Sequence, residues 1–177
     1  MDEAKFEAQL AELPLYTYGF YDTSELVFTD RVRKVCEQEC SMYNKSWACP
    51  PAVGTVAECK ARCDRFPRFL MISTITEVRD IANLEETLAT RAGHEDMTRR
   101  VRDMLRAEAG EVYVLSTESC AICRQCAWPG GPCRHPERMF PCVESHGILV
   151  TDLAERHGID FLAGSNLVTW FSLLFYR

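Results

Sequence analysis

The stretch Val112-Tyr113-Val114-Leu115-Ser116-Thr117 is a short apolar, β-branched run that is followed, after Glu118 and Ser119, by Cys120. Such a run predicts a buried strand. A similar run, Phe69-Leu70-Met71-Ile72-Ser73-Thr74-Ile75, predicts a second strand upstream. Because open α/β sheets place their sites beyond the carboxyl ends of their strands, the cysteines after Thr117 are expected at such an edge.

The segment between these two strands is predicted to be helical. Asn83 is a suitable N-cap, apolar residues recur at helical spacing from Leu84 to Leu105, and Gly110 ends the pattern, with a break expected at Gly93. A strand–helix–strand unit of this length predicts a right-handed βαβ crossover between parallel neighbours. The expected fold class is α/β (or α+β): one domain over residues 1–177 with a small mixed sheet, a ferredoxin-like sandwich being one possible form, and cysteine-rich loops that hold metal.

Further elements are predicted on either side of this unit. Residues 167–176 are aromatic and β-branched and predict a long C-terminal strand. The other predicted elements are helices over 30–40 (capped by Asp30), 55–65 and 151–157, short helices opened by Pro136 and Pro141 with Gly147 as a stop, and a hairpin of 16–21 with 25–28.

Composition and charge exclude several classes of protein. Of 177 residues, 47% are hydrophobic and 26% charged, which is typical of a globular chain with its own core. The net charge of −6 gives no general attraction to nucleic acid. No apolar run approaches the ~20 residues needed to cross a bilayer, so no membrane association is expected. The arginines between Arg99 and Arg106 are interpreted as a solvated helix face, with a docking surface for an acidic redox partner as the alternative.

The chain contains ten cysteines, which is a high density for this length. The residues Met1-Asp2-Glu3-Ala4-Lys5-Phe6-Glu7 are polar and acidic, unlike a secretion signal. We therefore expect a reducing cytoplasmic environment. Clustered cysteines there are metal ligands or redox thiols rather than disulfide partners.

Four cysteines form the densest cluster, in Cys120-Ala-Ile-Cys123-Arg-Gln-Cys126-Ala-Trp-Pro-Gly-Gly-Pro-Cys133. The spacing C-x2-C-x2-C opens the iron–sulfur ferredoxin signature, whose fourth cysteine follows after three residues and precedes proline. Here Cys133 follows after six residues and precedes Arg134. Zinc sites more often use two separated C-x2-C pairs. The spacing favours a [4Fe–4S] cluster, with zinc as the alternative.

A second group of cysteines lies upstream. Cys36 and Cys40 are spaced to share one face of a helix, and Cys49 precedes proline, as the last cysteine of the ferredoxin signature does. Cys59 and Cys63 repeat the four-residue spacing. Cys59 is a candidate fourth ligand about as readily as a core residue, whereas Cys63 and Cys142 are interpreted first as buried core residues.

Four motifs carry a resemblance to a known family: Cys36-x3-Cys40, Tyr43-Asn44-Lys45-Ser46-Trp47-Ala48-Cys49-Pro50-Pro51, Cys120-x2-Cys123-x2-Cys126 and Pro132-Cys133-Arg134-His135-Pro136-Glu137. In this order they resemble the prokaryotic predicted metal-binding proteins called domain of unknown function 2284, from about Cys36 to the C-terminal strand. The resemblance implies that Cys36, Cys40, Cys49, Cys120, Cys123, Cys126 and Cys133 belong to a metal-binding pattern, often joined by the position of Cys59. The position of Cys142 is more usually serine in that family. The resemblance implies metal binding, with iron–sulfur as the first expectation, and no particular reaction.

The leading hypothesis is a cytoplasmic redox protein that holds one or two [4Fe–4S] clusters and transfers electrons to a partner protein. One cluster would use Cys120, Cys123, Cys126 and Cys133, and the other Cys36, Cys40, Cys49 and Cys59, with an exchange of fourth ligands left open.

Two alternatives belong to other classes of protein. In an enzyme, a first cluster held by three cysteines would keep one iron open as a Lewis acid, and Arg134, His135, Glu137 and His146 are candidate acids, bases or anion ligands. For Arg134 and Glu137, local structural contacts are the simpler interpretation. In a structural zinc-binding interaction module, Cys120, Cys123, Cys126 and Cys133 would fix loops for protein docking.

Overall fold

The computed structural model describes residues 1–161 and 163–177. Its four-stranded sheet has the order β1-β2-β4-β3, and the strands are β1 (Thr17–Asp22), β2 (Arg68–Glu77), β3 (Val112–Ser116) and β4 (Leu167–Tyr176). Each neighbouring pair in this sheet is antiparallel. The α/β class is confirmed, whereas the ferredoxin-like sandwich is not.

The central position of β4 corrects the predicted topology. β2 and β3 run in the same direction, as the crossover prediction requires, but β4 lies between them and pairs antiparallel with both. The expected parallel neighbours and mixed sheet are therefore wrong. From Trp170 to Tyr176 every residue of β4 is buried. A strand covered on both faces and both edges buries more apolar surface than an edge strand, which favours the central position.

The first helix, α1 (Glu3–Leu10), was not predicted. The other helices lie close to the predicted segments: α2 (Asp30–Glu39), α3 (Val56–Cys63), α4 (Leu84–Ala89), α5 (Arg91–Ala109) and α6 (Val150–Arg156). The cap of α2 is Thr29 rather than Asp30, and its hydroxyl accepts a hydrogen bond from the backbone of Arg31 at 3.2 Å. Within residues 1–161 and 163–177, no helix is long and apolar enough to cross a membrane.

Three local predictions are wrong. The break in the long helical segment is at Thr90, not Gly93, because the Thr90 hydroxyl donates to the Thr87 carbonyl at 2.7 Å and accepts from the Trp170 indole at 2.8 Å. Pro136 lies in a turn and Pro141 in an irregular segment, so that the helical turn before Gly147 is only a 3-10 turn, Glu144–His146.

The predicted N-terminal hairpin is the third error. β1 pairs with β2 instead, and residues 23–25 form a 3-10 turn. Phe28 makes an isolated bridge with Ile148, which lies in the core. The contact of Phe28 with the distant Ile148 therefore takes the place of the predicted hairpin pairing.

Side chains of β4 alternate between two hydrophobic clusters, as the two-residue period of a strand requires. Phe171, Leu173 and Phe175 pack on one face with Ile148 and Leu153. Leu174 and Tyr176 pack on the other with residues of α1 and α5, namely Phe6, Leu10, Val101 and Leu105. Both faces of the sheet are thus covered, and the cysteine loops lie beyond the carboxyl end of β3, as predicted.

A buried polar network joins α5 to the sheet. His94 bonds through Nδ1 to the Thr74 hydroxyl at 2.9 Å and through Nε2 to the Ser172 hydroxyl at 2.8 Å. The Thr98 hydroxyl lies 3.0 Å from the same serine oxygen. Burial lowers the pKa of His94 to about 4, and the charge of Arg91 acts in the same direction. The imidazole is therefore neutral in the folded protein at pH 7.

This pKa predicts a loss of stability in mild acid. The unfolded chain binds a proton at His94 below pH ~6.5, whereas the folded chain does so only near pH 4, so stability present above pH ~6.5 is lost as the pH falls through this window. We expect His94 to account for about 3 kcal/mol of that loss. Denaturant unfolding between pH 7.5 and 4 measures it. His94→Gln should flatten the dependence, and an unchanged slope in that variant would contradict the assignment.

Candidate metal centre

The second cysteine group lies in the loop that follows β3. Four cysteines, all partly buried and free, border one small enclosed space of about 20 Å³: Cys120, Cys123, Cys126 and Cys133. A larger space of about 340 Å³ adjoins it, bordered by three of these cysteines and by residues of the Met42–Ser46 segment. The structure therefore brings together the four cysteines that the sequence grouped.

Cys126 is surrounded by hydrogen-bond donors. Burial raises the pKa of its thiol, but hydrogen bonds from the backbone of Trp128, Trp47 and Ala127 and from the Ser46 side chain outweigh this effect, so that the pKa is lowered. Hydrogen bonds that favour the thiolate also favour metal ligation, because the thiolate is the ligand.

The first cysteine group borders a separate cavity of about 150 Å³. Its cysteines are Cys36 on α2, Cys40 at the end of that helix, Cys49 and Cys142. The pKa of Cys49 is raised to about 11, mainly by burial and also by the neighbouring Cys40 and Cys36, whereas the Ser119 hydroxyl favours the thiolate and opposes this rise. Three cysteines grouped by the sequence thus share a cavity, and Cys142 is the fourth thiol there.

Cys142 reaches this cavity through main-chain contacts. Its N–H donates to the carbonyl of Ala48, next to Cys49, at 3.0 Å, and its backbone bridges to Ser116 at the end of β3. Its thiol donates to Glu144 Oε2 at 2.8 Å. The sequence offers no local spacing that predicts this placement, because the contacting residues are far apart in the chain.

Cys59 and Cys63 lie on α3, fully buried, and do not border either of the two cysteine cavities. The Cys59 sulfur lies 3.0 Å from Arg62 Nη2, 3.7 Å from Arg33 Nη2 and 3.5 Å from the Val53 carbonyl. Burial raises the pKa of both thiols, that of Cys63 to about 12. A ligand role for Cys59 stays a prediction, and its surroundings are those of a buried hydrogen-bonding residue.

The two cysteine loops form walls of each other's cavities. Ser46 and Trp47, from the loop of Cys49, border the space between Cys120 and Cys133, while Ser119, which precedes Cys120, borders the first cavity. The indole of Trp47 donates to the Gly131 carbonyl at 3.0 Å, and that of Trp128 donates to Asn44 Oδ1 at 2.9 Å. The two rings meet edge to face at 4.7 Å. Each cysteine loop therefore contributes residues to the lining of the other loop's cavity, and the two cavities are neighbours.

Two features of these walls fit sulfur-ligated metal. The Ser119 hydroxyl is buried beside Cys49 and has no hydrogen-bond partner among the described residues. The Cys126 sulfur accepts several hydrogen bonds. Donors aimed at ligand sulfurs are typical of iron–sulfur sites. Over residues 1–161 and 163–177, no three His, Cys, Asp or Glu side chains are arranged so that they could hold a single metal ion.

Comparison with known proteins identifies the family. The family described as predicted metal-binding protein (DUF2284) matches residues 20–176. The chain belongs to this family. The resemblance noted in the sequence is confirmed, and it supports metal binding. No curated protein and no solved structure matches the chain.

In this member of the DUF2284 family, the polar residues near the cysteines mostly make structural contacts. Arg134 donates to the Gln125 carbonyl, and the Glu137 carbonyl accepts from Arg102 at 2.7 Å. His146 is fully buried, bonded to the Tyr113 hydroxyl at 2.8 Å and facing the Cys142 carbonyl at 3.0 Å. Burial lowers the pKa of His146 to about 3. His135 borders an open cleft beside Cys123.

Arg33 fastens α2, and with it Cys36, to the rest of the first site. Its buried guanidinium donates to the Gly54 carbonyl at 2.7 Å and to the Ser145 carbonyl, three residues beyond Cys142. Sequence reasoning missed this residue, because it lies within a run of charged positions that predicts a solvated helix face.

Replacing Arg33 with methionine should destabilise the fold. Arg33→Met keeps the apolar stem but leaves two buried carbonyls without their charged donor, so we expect a loss of about 3 kcal/mol in the free energy of unfolding. Arg31→Met, at an exposed position of the same helix, is the control and should change it by less than ~0.5 kcal/mol. Denaturant unfolding compares the two, and equal stabilities would contradict the role of Arg33.

Proposed function

We propose that this protein transfers electrons through two [4Fe–4S] clusters. One would be held by Cys120, Cys123, Cys126 and Cys133, and the other by Cys36, Cys40, Cys49 and Cys142. The observation that carries the proposal is that each set of four thiols borders its own cavity and that each cysteine loop lines part of the other's cavity. Redox centres that lie side by side suit electron transfer between partner proteins.

The size of the first cavity supports a cluster rather than zinc. Zn–S bonds of about 2.3 Å hold four sulfurs about 3.8 Å apart around one ion. The first cavity, at about 150 Å³, is several times the ~30 Å³ that one water molecule occupies in the liquid. Such a space accommodates a centre of several atoms. At the second site, whose enclosed space is only about 20 Å³, the C-x2-C-x2-C spacing rather than the size of the cavity supports the same centre.

Cys142 is our candidate for the fourth ligand of the first cluster, in preference to Cys59. Cys142 borders the cavity of Cys36, Cys40 and Cys49, whereas Cys59 lies against two guanidinium groups on α3. With Cys142 in place, the first cluster has four protein ligands. That arrangement favours electron transfer over an enzyme with an open iron.

The surroundings of the two sites differ in charge. A bound [4Fe–4S] cluster supplies a one-electron couple. Glu118 borders the first cavity, and its negative charge opposes the addition of an electron. Hydrogen-bond donors surround Cys126, and Arg124 and Arg134 lie outside the second site, where positive charge favours the electron. We therefore expect the second site to be the more easily reduced.

Anaerobic purification with iron and sulfide analysis tests the proposal. Two clusters require about eight irons and eight sulfides per chain, with a broad visible absorption that bleaches on reduction. Colourless protein with stoichiometric zinc after anaerobic reconstitution would overturn it and would favour the zinc-binding module.

The fourth ligand is tested by alanine variants. Cys142→Ala should lower the iron content from about eight to about four per chain, because a cluster lacking one of four thiolates is poorly retained. Cys59→Ala should keep about eight irons. Cys63→Ala, a buried neighbour on the same helix, controls for loss of packing. The assignment is wrong if Cys59→Ala loses the irons and Cys142→Ala keeps them.

A further inference from the structure

The second cysteine site opens onto a wide cleft of about 860 Å³ on the surface. Cys123 and Cys126 contribute to its lining, together with Ile122, Arg124, Gln125, Arg134 and His135. Arg124 and Arg134 are exposed, and both cysteines are partly exposed. The cleft is therefore the face on which the second site comes closest to solvent.

The charge of this cleft is opposite to that of the whole chain. The protein has 26 acidic and 20 basic residues, yet the cleft is lined by two arginines and a histidine and by no carboxylate among the described residues. Arg124 forms no ion pair and no side-chain hydrogen bond with any residue that the structure describes. Local positive charge on an acidic protein orients an approaching acidic molecule toward this one face.

The arginines of α5 are less suited to this role. Arg99 is paired with Glu95 and Asp96 at 2.7 Å each, and Arg102 with Asp103 at 2.8 Å. Both side chains are also largely buried against the ring of Phe140. The charges of Arg99 and Arg102 are therefore already compensated within the helix. Arg100 and Arg106 are exposed, but neither borders the cleft or the two cysteine cavities, so the cleft is the basic surface that adjoins the second site.

We propose that the cleft bordered by Arg124 and Arg134 docks a redox partner protein whose contact surface is rich in carboxylates. The inference rests on the proposed function, since it names the partner chemistry of the same second site. An open cleft exposes much of a small bound molecule, whereas small-molecule sites usually enclose their ligands. Arginines around the apolar Ile122 are instead the composition of a protein interface, in which arginine is enriched.

A binding experiment with the anaerobically purified protein tests this, using three probes: an acidic flavodoxin, a basic cytochrome c and free citrate. We expect flavodoxin to bind, to weaken as the ionic strength rises, and to bind about tenfold more weakly to Arg124→Glu. Arg124→Lys should keep most of the affinity. Arg65→Glu makes the same charge change in the turn before β2, at the other end of the sheet from Cys120, where Arg65 pairs with Glu111 at 3.0 Å, and is the control.

Three results would overturn the docking proposal. The first is an affinity for flavodoxin that Arg124→Glu leaves unchanged, and the second is binding of cytochrome c but not of flavodoxin. The third is binding of citrate that depends on Arg124 without any binding of flavodoxin, which would make the cleft a site for small anions. Iron is measured on the same samples. If the protein carries iron but does not bind flavodoxin, the docking proposal is wrong and the cluster proposal stands. If the protein contains no iron but binds flavodoxin through Arg124, the docking proposal stands and the cluster proposal is wrong.

Discussion

Main-chain hydrogen bonds at the end of β3 are the constraint on which the candidate metal centre depends. The Ser116 N–H donates to the Pro141 carbonyl at 3.0 Å, the Val143 N–H donates to the Ser116 carbonyl at 2.9 Å, and the Cys142 N–H donates to the Ala48 carbonyl at 3.0 Å. They join the sheet, the loop of Cys49 and the segment of Cys142 at one point. Because backbone groups in such a place must be paired, this junction fixes where each loop leaves the sheet and hence which cysteines meet.

Local patterns in the sequence predicted most of the elements but not their arrangement. Apolar and β-branched runs identified β2, β3 and β4, and the capping residue Asn83 marked a helix start, since these signals arise between residues close in the chain. The insertion of β4 between β2 and β3 depends on burial across the whole sheet. No periodic pattern in the sequence from β2 to β3 indicates this insertion of β4.

The candidate site shows the same division between local and long-range signals. Cys120, Cys123 and Cys126 were grouped from their spacing, and Cys36, Cys40 and Cys49 from helix geometry and a following proline. Cys142 was interpreted as a core residue because it has no cysteine near it in sequence. Its place beside Cys49 comes from the bond to Ala48, which joins residues 94 positions apart. Cys59 has helical spacing to Cys63, but that spacing also suits two core residues.

The central claim is that two clusters lie in neighbouring cavities, each lined in part by the other cysteine loop through Ser46, Trp47 and Ser119. EPR spectroscopy of the fully reduced protein under anaerobic conditions tests it most directly. Two reduced [4Fe–4S] clusters in neighbouring cavities should give a broadened spectrum of interacting spins, which integrates to about two spins per chain. A single isolated cluster signal of one spin or less per chain, or the absence of any iron signal, would contradict the account.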